Sequence, residues 1–211
     1  LSKVDFNNIN VTPAASKALK WNASANGFET GDLSGSMVLL STQTASSSST
    51  ISFTSGIDDT YDEYVFKFYD IHPATDGQFF QVNFRDGGSS YDATKTTTYF
   101  RAIHNEAGND AELGYRTGQD LAQSTNPQYI TWRVGNDNDQ SCSGTLTIFN
   151  PSNTTFVKHF ISTSNTYSDD NYTYNIFVAG YNNVSSAIDG VQFSFASGNI
   201  DSGTIKMYGI L

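Results

Sequence analysis

From Met37 onward the chain is built of short runs in which apolar and polar residues alternate one for one. Ile51 and Phe53 flank Ser52, and Phe80, Val82 and Phe84 interleave with Gln81 and Asn83. Leu146 and Ile148 alternate with Thr145 and Thr147, and Val191, Phe193 and Phe195 with Gln192 and Ser194. A period of two sends successive side chains to opposite faces of a strand, so each run has one face to bury and one to leave wet. That pattern is the mark of antiparallel sheets, and Ser and Thr on the wet face suit a pleated surface.

Eleven such runs follow one another: 37–42, 50–54, 63–70, 78–85, 97–104, 128–134, 143–150, 155–163, 173–181, 190–196 and 203–210. Turn-forming clusters separate them, among them Asp58-Asp59, Asp76-Gly77, Asp86-Gly87-Gly88, Asn150-Pro151-Ser152-Asn153 and Asn182-Asn183. The expectation is an all-β protein, an antiparallel β-sandwich of about eleven strands. No strand–helix alternation supports a parallel α/β sheet, and no self-similar period supports a propeller or solenoid. Residues 36–211 read as the sandwich domain. Residues 1–35, with isolated apolar positions and breakers at Thr12-Pro13, Asn26-Gly27 and Gly31, read as an extended N-terminal arm. Within the arm a short helix over 14–19, capped by Thr12, is a marginal possibility at that length. The stretch from Glu106 to Pro127 has no clear strand beyond a short one at 113–115, and a loop that long inside a compact domain points to function.

Composition narrows the function classes. The 211 residues can bury roughly 70% of their unfolded surface without a disulfide or metal. Fifteen Phe and twelve Tyr supply the core, while 26 Ser, 23 Thr and 19 Asn take the place of charge, which falls to 15%. Eleven basic against twenty-one acidic residues leave a net charge of −10, which repels nucleic acid phosphates and anionic lipid. No apolar run nears the ~20 residues of a membrane-spanning helix, so no membrane insertion is expected. Cys142 is the only cysteine, so an internal disulfide and a paired-thiol motif are excluded, and it reads as a small core filler. His72, His104 and His159 are too scattered for a helical metal motif. The start at Leu1 has neither a basic nor an apolar leader region, so no signal peptide is read there, and the absence of a starting Met suggests that native sequence precedes it.

No catalytic signature stands out. The acidic residues, such as Asp58, Asp59, Asp92, Glu106, Asp110 and Asp120, sit in turns and form no pair marked by spacing. There is no Gly-x-Ser-x-Gly elbow, and Asp86-Gly87-Gly88 is followed by neither lysine nor helix. Residues 135–140 (Gly-Asn-Asp-Asn-Asp-Gln) resemble half of a calcium loop but lack its central Gly and closing Glu, so a solvated hairpin loop is the better reading. Residues 168–171 carry the same weak signal. Four loop tyrosines, Tyr91, Tyr115, Tyr167 and Tyr172, are candidates for stacking on sugar rings, because their rings are apolar and their tips wet. No cofactor, metal or catalytic residue is assigned, and the ligand-binding residues remain open.

The C-terminal segment Ser197-Gly198-Asn199-Ile200-Asp201-Ser202-Gly203-Thr204-Ile205-Lys206-Met207-Tyr208-Gly209-Ile210 resembles the closing strand of virion surface proteins of tailed bacteriophages, marine and cyanobacterial ones in particular. Phe53-Thr54-Ser55-Gly56-Ile57-Asp58 ahead of Tyr64-Val65-Phe66, Ile71-His72-Pro73-Ala74-Thr75-Asp76, Asn150-Pro151-Ser152 and Lys158-His159-Phe160 agree with it, as does Leu19-Lys20-Trp21-Asn22 at the front. The resemblance implies a non-enzymatic, jelly-roll-like module of the virion, a homo-oligomer with the trimer favoured, bound to other virion proteins. It implies a tail-fibre or tail component in host adhesion, contacting host surface glycan weakly and many times over. Two alternatives stand beside it: a capsid-decoration protein binding the major shell through a broad apolar base, and a carbohydrate-binding module of a glycan-active enzyme. The resemblance carries over no ligand residues.

Overall fold

A computed structural model describes residues 17–21, 24, 27–32 and 37–210. Among them lie fourteen strands and no helix, and two compact units meet between Val38 and Leu39. The first unit contains a hairpin of β1 (Lys17–Trp21) and β2 (Phe28–Asp32), in which Trp21 stands opposite Phe28 with the rings stacked at 4.4 Å. The marginal helix over 14–19 is not formed where it can be seen: residues 14–16 lie outside the described residues, and 17–19 are strand. A helix of six residues fixes too many dihedrals for the few bonds it closes, whereas the hairpin pairs its backbone and stacks two rings. Residues 1–16 and 33–35 of the expected arm also lie outside the described residues.

The second unit is an antiparallel sandwich. Its strands are β3 (Met37–Thr44), β4 (Ile51–Phe53), β5 (Glu63–Pro73), β6 (Phe80–Arg85), β7 (Lys95–Asn105), β8 (Ala111–Tyr115), β9 (Gln128–Tyr129), β10 (Cys142–Phe149), β11 (Lys158–Tyr167), β12 (Tyr172–Asn182), β13 (Gly190–Phe195) and β14 (Ile200–Ile210). One sheet has eight strands in the order β3-β14-β5-β10-β11-β12-β7-β8; the other has four, β4-β13-β6-β9. The pairing is nested. β3 pairs with β14, β4 with β13, β5 with β10, and β6 with β9, so the first half of the unit runs against the second across both layers. Two hairpins are inserted into this scheme, β7–β8 and β11–β12, and they pair with each other to widen the large sheet beyond β10.

The alternation read in the sequence becomes the core. Along β11 the inward residues are buried and the outward ones are mostly exposed, and β13 buries Val191, Phe193 and Phe195. Phe193 joins the layers: its ring lies 5.7 Å from Phe66 and 6.5 Å from Phe68 of the large sheet, and stacks on Phe80 of its own sheet at 5.6 Å. The register of β5 against β14 shifts where Asp70 (φ +50°) meets Gly203 (φ +123°). Glycine is required there, since a Cβ would stand 2.7 Å from Ile71 Cδ1 and 2.8 Å from Asp70 O.

The small sheet has half the strands of the large one, and most of the inner face of β11, β12 and β7 is met instead by irregular chain. Tyr99 Oη donates to Thr131 O at 2.8 Å and Ser164 Oγ to Ile130 O at 2.6 Å. Because these covering carbonyls need donors, the inward positions are polar here. Lys158, Asn182 and Lys95 lie side by side across β11, β12 and β7, all fully buried. Lys158 Nζ donates to Val184 O at 2.7 Å and to Asn153 O and Phe156 O at 3.1 Å; Lys95 Nζ donates to Asn126 O at 2.8 Å. Burial depresses the affinity of Lys95 for its proton to a pKa of about 8, with the charge of Asp92 acting weakly the other way.

Two outcomes follow from this packing. Phe193→Ala removes the ring shared by both layers and is expected to cost about 3–5 kcal/mol in urea unfolding. Lys95 takes up its proton in the unfolded chain at higher pH than in the folded one. The penalty for its burial is therefore full below pH 8 and fades as pH rises towards the ordinary lysine value near 10.4. The stability of the protein relative to Lys95→Met is expected to rise across that window by on the order of 3 kcal/mol, measured by denaturant melts at successive pH values.

Candidate glycan-binding site

The two inserted hairpins turn at the same end of the large sheet. Glu106 N–H, in the β7–β8 turn, donates to Asn171 O of the β11–β12 turn at 3.1 Å, which fixes one turn against the other. Each turn is braced from within. Asn105 Oδ1 accepts the N–H groups of Asn109 and Asp110 at 3.1 Å, and Asn171 (φ +61°) takes the left-handed position that asparagine tolerates better than most residues. Ser168 Oγ accepts from Tyr172 N at 3.1 Å and pairs with the Asp170 carboxylate.

Tyr167 closes β11 and points to the outer face with Asn165, while Tyr172 opens β12 and points inward, its ring 5.7 Å from Tyr174 and packed against the core. They line a cleft of about 190 Å³ with His104, Asn105, Glu106 and Asn165. Tyr172 Oη donates to Asp110 Oδ2 at 2.8 Å, and that bond holds the phenol proton above its ordinary range. The Glu106 carboxylate beside Tyr167 does the same for its phenol. Both tyrosines are therefore neutral donors at physiological pH. Asn165 Nδ2 donates to Thr173 Oγ1 at 2.8 Å, on the floor of the cleft. One amphipathic ring, that of Tyr167, edged by amides, an imidazole and a carboxylate, forms a surface suited to a ligand with an apolar ring face and many hydroxyls. The cleft lies at the end where β3 finishes, since Ala45 N bonds Gly203 O at the start of β14. It is thus opposite the end where β3 begins.

The other sequence candidates fall elsewhere. Tyr91 lies by Arg85, whose Cζ is 5.8 Å from the ring centroid, and its hydroxyl is buried without a partner. Tyr115 sits on the outer side of edge strand β8 and donates to Asp120 Oδ2 at 2.6 Å. Of the 106–127 stretch only its first turn reaches the cleft; residues 111–115 are strand, and residues 116–124 continue along the same edge of β7, bonded to the backbones of Tyr99, Thr97 and Lys95. Residues 135–140 close on themselves as a turn, with Gln140 N donating to Asp137 O at 2.9 Å and Asp137 N to Gln140 Oε1 at 3.1 Å. Nearby, Asp70, His72, Asp139 and Asp201 edge a polar depression of about 440 Å³. Among the described residues no group of three or more His, Cys, Asp or Glu is placed to hold a metal ion. Cys142 is fully buried, and burial raises its thiol pKa far above the ordinary range, as suits a core filler. His104, Asn105 and Asn165 were not marked by the sequence; their only signal is polarity at the ends of paired strands.

No family model, no curated protein and no solved structure matches the chain. Asn171→Ala is expected to lower stability by about 1 kcal/mol, because alanine bears the left-handed strain that asparagine relieves. A melting temperature about 2–4 °C lower would register it.

Proposed function

We propose that this protein is a non-enzymatic structural component of a phage virion, displayed on the particle as part of a fibre or tail and used in adhesion to host surface glycan. The observation that carries the reading is the outer-face cleft edged by Tyr167, His104, Asn165 and Thr173, at the end of the sandwich opposite the start of β3. A binding surface placed there faces outward when the chain is anchored through its N-terminal side.

The nested pairing of β3 with β14, β4 with β13, β5 with β10 and β6 with β9 supports a jelly roll, the wrapping of one long antiparallel ribbon over two layers. Jelly rolls recur in viral coat and lectin domains, which makes the analogy one of fold and not of mechanism. The net charge of −10 favours solubility at high copy number. A cleft of this size takes one or two sugar units, so single contacts are weak and strength comes from many tethered copies. The carbohydrate-module reading uses the same cleft and differs only in what the chain is attached to. The capsid-decoration reading draws support from the outer face of β7 and β12, where Phe100 and Phe177 stack at 4.9 Å. Retention on purified capsids that is lost in Phe177→Asp would put it first.

The adhesion reading predicts that the protein, coupled at high density to beads, retains host cells or their surface polysaccharide. Tyr167→Ala/Tyr172→Ala beads should retain at least tenfold less at unchanged melting temperature beyond a few degrees. Equal retention by both kinds of bead would remove the cleft from the function.

A further inference from the structure

The outer faces of the two sheets differ in kind. On the four-stranded sheet the outward positions Ser52, Gln81, Arg85, Gln192 and Ser194 form the partly exposed polar face that alternation predicts, and Asn83 among them is buried against Thr125 O. On the widened part of the large sheet the outward positions are alternate residues 143–149, 159–165, 173–181, 96–104 and 111–115. None of these is Asp, Glu, Lys or Arg, in a chain with thirty-two charged residues by the count of eleven basic plus twenty-one acidic. At the middle of β7 and β12 both faces carry apolar residues: Tyr99 and Val178 point inward, while Phe100 and Phe177 point outward and stack with their planes 9° apart. Ile161 is 49% exposed and Leu113 75% exposed, and Phe156, at 69%, extends the patch past the end of β10.

We infer that this uncharged face is where a second copy of the chain seats, large sheet against large sheet, about a two-fold axis. Charge selects the occupant. Two copies at −10 each repel wherever their charged surfaces approach, and this face lets them meet without placing like charges opposite one another. Flatness and size agree. Five strands ~4.8 Å apart and about nine residues long at ~3.3 Å per residue cover on the order of 700 Å². That is just under the ~800 Å² per partner of a standard interface, so the pair forms reversibly. A two-fold contact uses the same patch on both copies, as two stacked sheets ~10 Å apart require. It gives a pair, in place of the three-fold assembly that the C-terminal resemblance implies. His104, Asn165 and Thr173 belong both to this face and to the cleft at its rim, so pairing and ligand binding at that cleft compete. The inference stands whether or not the adhesion reading does.

The test is sedimentation equilibrium of the full chain over a range of concentrations at 50 mM and 500 mM NaCl. The expected result is a reversible monomer–dimer equilibrium that tightens severalfold at the higher salt, because screening weakens the repulsion between the acidic bodies and leaves apolar burial in force. Phe177→Asp and, separately, Ile161→Asp should each remain monomeric at both salts while keeping the strand-type circular dichroism spectrum; two sites guard against one variant failing to fold. Tyr69→Ser, on β5 outside the face, should dimerise as the parent does. A monomer at every concentration would overturn the inference and leave the face to a foreign protein. So would a three-chain mass, association that weakens with salt, or dimers that persist in both aspartate variants.

Discussion

The aromatic cluster centred on Phe193 is the contact on which the rest of the molecule depends. It is the place where the four-stranded layer touches the eight-stranded one through ring against ring, with Phe66 and Phe68 reaching across from β5. Neither sheet has a second apolar layer to turn to, and a sheet alone cannot bury its inner face. Once these rings interdigitate, the nested order follows: strands far apart in sequence, such as β4 and β13, must lie beside one another for Phe53 and Phe193 to share the core. The price is slow assembly, because long loops close before these contacts form.

The widened half of the large sheet obeys different physics. The small sheet reaches β11 only where Phe84 meets Phe160 at 4.9 Å, and residues 126–134 meet the rest of the inner face with irregular backbone that carries its own hydrogen-bonding groups. Buried Thr97, Gln128 and Ser164 answer that need, and so do two lysines whose ammonium groups donate to backbone carbonyls. Arg101 is held between Trp132 and Tyr174, its Cζ 4.2 Å and 5.1 Å from the ring centroids. This polar packing fixes the two hairpins rigidly enough that their turns meet, and the tyrosine cleft is a consequence of that meeting. The outward face of the same hairpins is left uncharged and apolar.

Much of this was legible in the residues. Each of the eleven alternating runs overlaps a strand, and Leu113-Gly114-Tyr115 falls in β8, because a period of two is a local property that any half-buried strand displays. The arm reads as extended, but its hairpin was not legible, because local cap chemistry at Thr12-Pro13 says nothing of a pairing partner ten residues on. At the site, Tyr167 and Tyr172 could be singled out as ring-bearing turn neighbours. Their separation from Tyr91 and Tyr115 could not, nor could the arrival of His104 and Glu106, which come from a hairpin more than sixty residues upstream. Alternation also concealed the apolar outer face: Tyr99-Phe100 and Phe177-Val178 break the pattern, and such a break reads equally as a strand buried on both sides.

The sequence by itself determined that this chain is all-β, where its strands run, and that its net charge is strongly negative, since periodicity and charge are properties of neighbours and sums. Tertiary structure alone decided which strand lies beside which, that two hairpins would widen one sheet, and that their two turns would meet beside one cleft. Those outcomes depend on contacts between residues far apart in the chain, and such contacts are chosen by how whole faces bury against one another.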